Sequence, residues 1–198
     1  MIDDQNLNKL PQSFYARDLL EIAPEILGKI FVKKSGSKIF SGSIVEVEAY
    51  HGAFDEAAHT FRGKTKANEI MFDEGGKLYV YFIYGMYFCC NIVTGKKDEG
   101  SAILIRGIEP ISGTKCMMVN RSKSELKNLT NGPGKICQAF GITKSDNGTD
   151  LLGDDMYLLD TPTVSSDNIV QTTRIGISKS KDLPWRFYIK NNPFVSKP

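Results

Sequence analysis

The stretch LYVYFIYGMYFCCNIV, residues 78–93, is the longest apolar run in the chain and limits the fold more than any other segment. A membrane helix needs about 20 consecutive apolar residues; this run is shorter, contains Gly85 and Asn91, and carries four tyrosines, so no membrane partner is expected. Aromatic and β-branched side chains favour strands. Two arms, Leu78 to Ile83 and Tyr87 to Val93, therefore form a hairpin through Tyr84-Gly85-Met86, with glycine supplying the unusual backbone angles of the tip.

Further strands follow from the same reasoning. Lys29 to Val32 and Lys38 to Tyr50 are split by Ser35-Gly36-Ser37, and the second arm alternates Ile44, Glu46 and Glu48 against Val45, Val47 and Ala49, which puts Glu46, Glu48 and Tyr50 on one face. Ser101 to Ile108, Asp155 to Asp160, Asn168 to Ile177 and Trp185 to Lys190 are also strand-like. Helical signals are fewer. LPQSFYARDLLEIAPEILG reads as two short helices, the second started by Pro24 and ended by Gly28. Lys115 to Leu126 is helical, and Asn131 caps another helix with Gly132-Pro133 at its start, Ile136, Cys137 and Phe140 as its stripe, and Gly141 as its stop. The expected fold class is α+β: one domain over 1–198, with a curved antiparallel sheet as a roll or open barrel, surrounding helices and a protruding hairpin.

Composition sets the remaining bounds. With 41% hydrophobic and 24% charged residues the chain is a folded protein, not a disordered one. A net charge of +2 signals no partner by itself, although residues 1–60 carry net −3 and residues 61–198 net +5. The four cysteines form no C-x-x-C pair, and MIDDQNLNKL lacks the basic start and apolar run of a signal peptide. A reducing intracellular location is expected: cytoplasm or nucleoid in a prokaryote, nucleus in a eukaryote.

Residues 45–63, VEVEAYHGAFDEAAHTFRG, concentrate the groups that could carry chemistry: two glutamates, a tyrosine, both histidines and two further acidic residues. One reading is a solvated sheet edge and loop. A second is a metal-dependent hydrolase on Glu48, His51, Asp55 and His59, although the spacing lacks H-E-x-x-H and offers no third histidine. Arg106, inside the apolar strand AILIRGIEP, needs a carboxylate partner, either Glu109 or Glu48; the second pairing would hold Glu48 ionised and aimed at a water. Tyr84, at a tight turn, is forced toward solvent, where it could insert between stacked bases. A non-catalytic DNA-bending module is thus a third reading.

EVEAY, DEAAH, LYVYFIYGMYFCCN, ILIRGIEP and NGPGKICQA, in this order over residues 10–196, resemble the alkyladenine (3-methyladenine) DNA glycosylase family. The resemblance implies a monofunctional DNA glycosylase of base excision repair. It would flip damaged purines (3-methyladenine, 7-methylguanine, hypoxanthine, ethenoadenine) out of double-stranded DNA and hydrolyse the N-glycosidic bond, as a monomer with no cofactor and no metal. It also implies roles. Glu48 is the general base, while Arg106 and the backbone carbonyl of Ile175 position the water. Tyr50 stacks on one face of the base, with His59 and Tyr81 on the other. Asn91 excludes guanine, and Tyr84 fills the gap left in the duplex. Gly134 and Lys135, opening a helix, are candidate phosphate contacts, as are Arg62, Lys64, Lys66, Lys115, Arg121, Lys123 and Lys127. Departures from the pattern lie at Ala67-Asn68 and at His51-Gly52-Ala53-Phe54, and these bear on lesion preference.

Overall fold

The computed structural model describes residues 7–197, so the first six residues of MIDDQNLNKL lie outside it. Eight strands make one curled antiparallel sheet: β1 (Ile30–Ser35), β2 (Lys38–Tyr50), β3 (Leu78–Ile83), β4 (Tyr87–Thr94), β5 (Ser101–Ser112), β6 (Met156–Leu159), β7 (Ile169–Thr172) and β8 (Arg186–Ile189). Their order is β3-β4-β5-β2-β1-β6, with β8 pairing both β2 and β7. This is the expected α+β architecture, including the hairpin of β3 and β4.

Strand β2 is interior, not an edge. β5 runs along one side of it, while β1 pairs with Lys38 to Ser43 on the other side before β8 takes over at Glu46 to Glu48. The β2–β5 register slips on either side of Glu46: Ile44 faces Ile108, Glu46 faces Gly107 and Val47 faces Ile105, which leaves Val45 and Arg106 without opposite partners. Such bulges bend a strand and re-aim its side chains. The extra residue Val45 takes up one step of alternation, so Ile44 lies with Val47 and Ala49 in the main core instead of with Glu46 and Glu48.

Helix α1 (Gln12–Tyr15) precedes α2 (Leu19–Glu25), whose cap is Asp18, accepting from the Leu20 N–H. Pro24 therefore sits near the C-terminal end of α2 and does not start it. Helix α3 (Thr114–Arg121) is shorter than expected because Ser122 turns left-handed at φ 49° and donates back to Met118 and Val119. In α4 (Pro133–Phe140) the cap position is held by Gly132. Asn131 instead bridges Gly107 and accepts from Lys135. Ile136, Cys137 and Phe140 are buried as expected, and Gly141 ends the helix at φ 64°. These helices cover one face of the sheet, where Ile22, Phe31, Val47, Ile92, Ile105 and Phe140 share the main core. The opposite face is left for the site.

Candidate active site

Both carboxylates of β2, Glu46 and Glu48, have no solvent exposure. A buried carboxylate is tolerable only with charged or hydrogen-bonding partners, and Arg106 supplies both glutamates. Its Nε donates to Glu46 Oε1 at 3.2 Å and its Nη1 to Glu48 Oε2 at 3.2 Å. Glu109 is not its partner, since residues three apart on a strand point to opposite faces; Glu109 accepts from Asn192 instead. Burial works against the charge on Arg106, but Glu48 and Glu46 outweigh it and its pKa is raised.

Glu48 has two further donors. Oε1 accepts from the Ile175 N–H at 2.7 Å and Oε2 from the Tyr50 hydroxyl at 2.8 Å. A carboxylate offers about four acceptor directions, so room for one more donor remains. The Ile175 amide thus bonds Glu48 directly, a contact separate from the water-positioning role expected of its carbonyl. The contact exists because β7 ends at Thr172 and does not extend to Ile177, freeing the next residues to cross to β2. Burial, and then the negative charge of Glu48, raise the Tyr50 pKa, so the phenol stays a proton donor.

Beside these groups lies a cavity of about 340 Å³, a size typical of small-ligand pockets. Tyr50, Arg106 and Ile175 line it, and so do His59, Tyr81, Asn91, Tyr84 and Gly134. Glu48 stands behind this lining, reached through its three partners. His59 meets Tyr81 edge-on, at 4.5 Å between centroids and 79° between planes, and its Nδ1 lies 3.0 Å from the Tyr79 hydroxyl. Burial pushes the His59 pKa down, leaving the imidazole neutral at pH 7, and pushes Tyr79 up to about 12. Asn91, 5% exposed, donates to the Tyr79 carbonyl at 3.3 Å. Tyr84 is 78% exposed at the hairpin tip, where its φ of 55° and that of Gly85, 66°, make the tight turn. Gly134 admits the close approach of α4 to β4, since a Cβ there would meet Tyr87 at 3.1 Å. Lys135 lies outside the lining, and its Nζ is held by Asn131 Oδ1 at 2.7 Å.

Residues absent from the sequence-based site complete it. Arg174 is clamped by Asp55, donating to both carboxylate oxygens and to the Ala49 carbonyl at 2.9 Å. Its guanidinium lies over the Tyr50 ring, 4.6 Å from the centroid. Asp55 is thereby committed to an ion pair. His51 stacks on Phe54 at 4.2 Å, and no three His, Cys, Asp or Glu side chains gather as a metal-binding group among the described residues. The proposed ligand set of Glu48, His51, Asp55 and His59 is not assembled. Cys89 lines the cavity and Cys90 faces the core, on opposite faces of β4, and the cysteines are free. Among the described residues no helix is long and apolar enough to cross a membrane.

The family model described as methylpurine-DNA glycosylase (MPG) matches residues 13–193. The chain belongs to this family. Relatives from Clostridium novyi (strain NT) and Carboxydothermus hydrogenoformans are each 46% identical, covering 96% and 95% of this chain and 100% and 98% of their own. A third, from Francisella tularensis subsp. tularensis (strain FSC 198), is 48% identical over 90% of this chain and 93% of its own. All three carry the name "putative 3-methyladenine DNA glycosylase". As a methylpurine-DNA glycosylase the chain is a DNA repair enzyme, a hydrolase of the N-glycosidic bond acting on damaged DNA. The reading as a non-catalytic bending module is thereby replaced.

Proposed function

We propose that this methylpurine-DNA glycosylase rotates a damaged purine out of double-stranded DNA into the 340 Å³ cavity and hydrolyses its N-glycosidic bond there with a water activated by Glu48. The observation that carries the reading is the buried Glu48, held by Tyr50, Arg106 and Ile175 directly behind an aromatic cavity. The water oxygen bonds to C1′ of the sugar as its proton passes to the carboxylate. The N-glycosidic bond breaks with its electron pair going to the base. The anionic carboxylate also steadies the oxocarbenium-like sugar.

Stacking on Tyr50, His59 and Tyr81 holds the base, at roughly 1–3 kcal/mol per stacked ring, and tolerates several lesions because every base has a π face. A neutral His59 receives alkylated purines such as 3-methyladenine and 7-methylguanine without charge repulsion. The neutral lesions hypoxanthine and ethenoadenine need protonation to leave. The bulk of Asn91 opposes the exocyclic amine of guanine. The exposed Tyr84 ring takes the vacated place in the duplex, and Gly134 with Lys135 at the start of α4 contacts phosphate. The cavity lining contains no lysine, which supports a monofunctional reaction without a Schiff base. One cavity and one hairpin tip suffice, so the enzyme acts as a monomer and requires no cofactor.

Duplexes containing 7-methylguanine or hypoxanthine, incubated with pure protein, release free base and become alkali-labile without being nicked. Direct strand cleavage by pure protein refutes the monofunctional mechanism, and absence of base release from both refutes the substrate assignment. Tyr84→Ala leaves the melting temperature unchanged, because the ring is exposed, but weakens lesion-duplex binding by about tenfold through loss of roughly 1–3 kcal/mol of stacking. Wild-type affinity in that variant removes Tyr84 from the duplex.

A further inference from the structure

Glu46 is as buried as Glu48, lies on the same face of β2 and takes no part in the reaction described above. Its Oε1 accepts from Arg106 Nε at 3.2 Å, Arg186 Nε at 2.7 Å and Ser196 Oγ at 2.9 Å, and its Oε2 from the Ser196 N–H at 2.5 Å. Of these donors only Arg106 lines the cavity, whereas all three donors of Glu48 line it, so Glu46 lies one step further from the base.

It is instead the anchor of Arg106. The Arg106 guanidinium has three acceptors: Glu46 on Nε, Glu48 on Nη1 and Ser196 Oγ on Nη2 at 3.3 Å. Two of the three, Glu46 and Ser196, are distinct from the reacting carboxylate, and Ser196 bonds Glu46 as well as Arg106. Segment 194–197 is packed into place. Phe194 and Val195 are buried, Arg186 Nη2 donates to the Lys197 carbonyl, and Gly107 leaves room that a Cβ would close, meeting the Phe194 carbonyl at 2.7 Å. An Arg106 at a bulge, without a cross-strand partner, takes its direction from these bonds.

We infer that Glu46 and Ser196 are positioning residues, fixing Arg106 and through it Glu48, so that the docking of segment 194–197 sets the competence of the active site. This rests on the reading of Glu48 as the base. Glu46 also balances charge. Without it Arg106 keeps only Glu48 as a carboxylate partner. The groups facing Glu48 are the Tyr50 phenol on β2, Arg106 from β5 and the Ile175 amide. Glu46 on β2, Arg186 on β8 and the Asp55–Arg174 pair stand behind them.

The test is single-turnover excision of hypoxanthine from a duplex at saturating enzyme, beside equilibrium binding of the same duplex. Ser196→Ala removes the Oγ bonds to both Glu46 and Arg106 while the Ser196 N–H bond to Glu46 stays, so it lowers the rate about threefold to tenfold through looser positioning and keeps wild-type affinity for the lesion duplex. Glu46→Gln lowers the rate about 10- to 100-fold at wild-type affinity for the lesion duplex, a split between rate and binding that a merely structural role would not produce. A wild-type rate in Ser196→Ala overturns the inference. So does a folded Glu46→Gln with wild-type rate, or one whose rate falls only in step with its affinity; should that variant not fold, Ser196→Ala decides alone. Glu48→Gln in the same assay separates the two ideas, because full activity there sinks the assignment of the base, whereas an inactive Glu48→Gln beside an unaffected Ser196→Ala sinks only the positioning role.

Discussion

Glu48→Gln abolishes base release to within the background of the assay, a loss of about 10²–10⁴ in single-turnover rate, as expected for a missing general base. The loss follows from hydrogen-bond polarity. Three donors converge on the Glu48 carboxylate: the Ile175 amide on one oxygen, and the Tyr50 hydroxyl and Arg106 on the other. A glutamine can accept at only one of those positions and must turn its own N–H groups toward the other. It therefore loses the proton acceptor and disturbs its three neighbours together. Affinity for a lesion duplex changes little, because Glu48 lies behind the cavity wall. Filter binding and base release on the same duplex separate these two quantities. Excision at the wild-type rate would remove Glu48 from the reaction.

The second large effect is on stability. Asp55→Ala strands the Arg174 guanidinium, whose side chain has no solvent exposure, without its countercharge. Breaking a buried pair from one side costs about 3–5 kcal/mol, because the remaining charge stays desolvated. For a chain of this length that corresponds to a fall in melting temperature of roughly 10 °C. The excision rate falls as well, since Arg174 directly precedes Ile175 and lies over the Tyr50 ring. Calorimetry checks the first quantity and single-turnover excision the second. A loss below about 1 kcal/mol, the range of exposed pairs, would show that water reaches Arg174.

The parts legible in the sequence were those with a short repeat. The two-residue period of β2 placed Glu46, Glu48 and Tyr50 together, and aromatic content with a single glycine marked the hairpin and its exposed Tyr84. The same period misassigned Ile44, because a bulge at Val45 leaves no trace in an alternation of apolar and acidic residues. Helix limits were misread where a side chain sets them: Asp18 was passed over in favour of Pro24, and a left-handed Ser122 shortened α3. Nothing local distinguished Glu46 from Glu48. What separates them is the identity of their donors, which come from Ile175, Arg186 and Ser196, more than a hundred residues away along the chain. Asp55 appeared as a possible ligand for the same reason, its partner Arg174 being equally remote.

The interior position of β2, hydrogen-bonded on both sides at Glu48, bears on how this enzyme can change. Amides of that segment exchange with solvent only when the whole fold opens, so they report global unfolding. The hairpin tip and the 51–68 loop belong to neither ladder of β2. Mutational drift there, at positions other than the Arg174 anchor Asp55, can widen or narrow the range of accepted lesions, while the apparatus that breaks the bond is inherited intact.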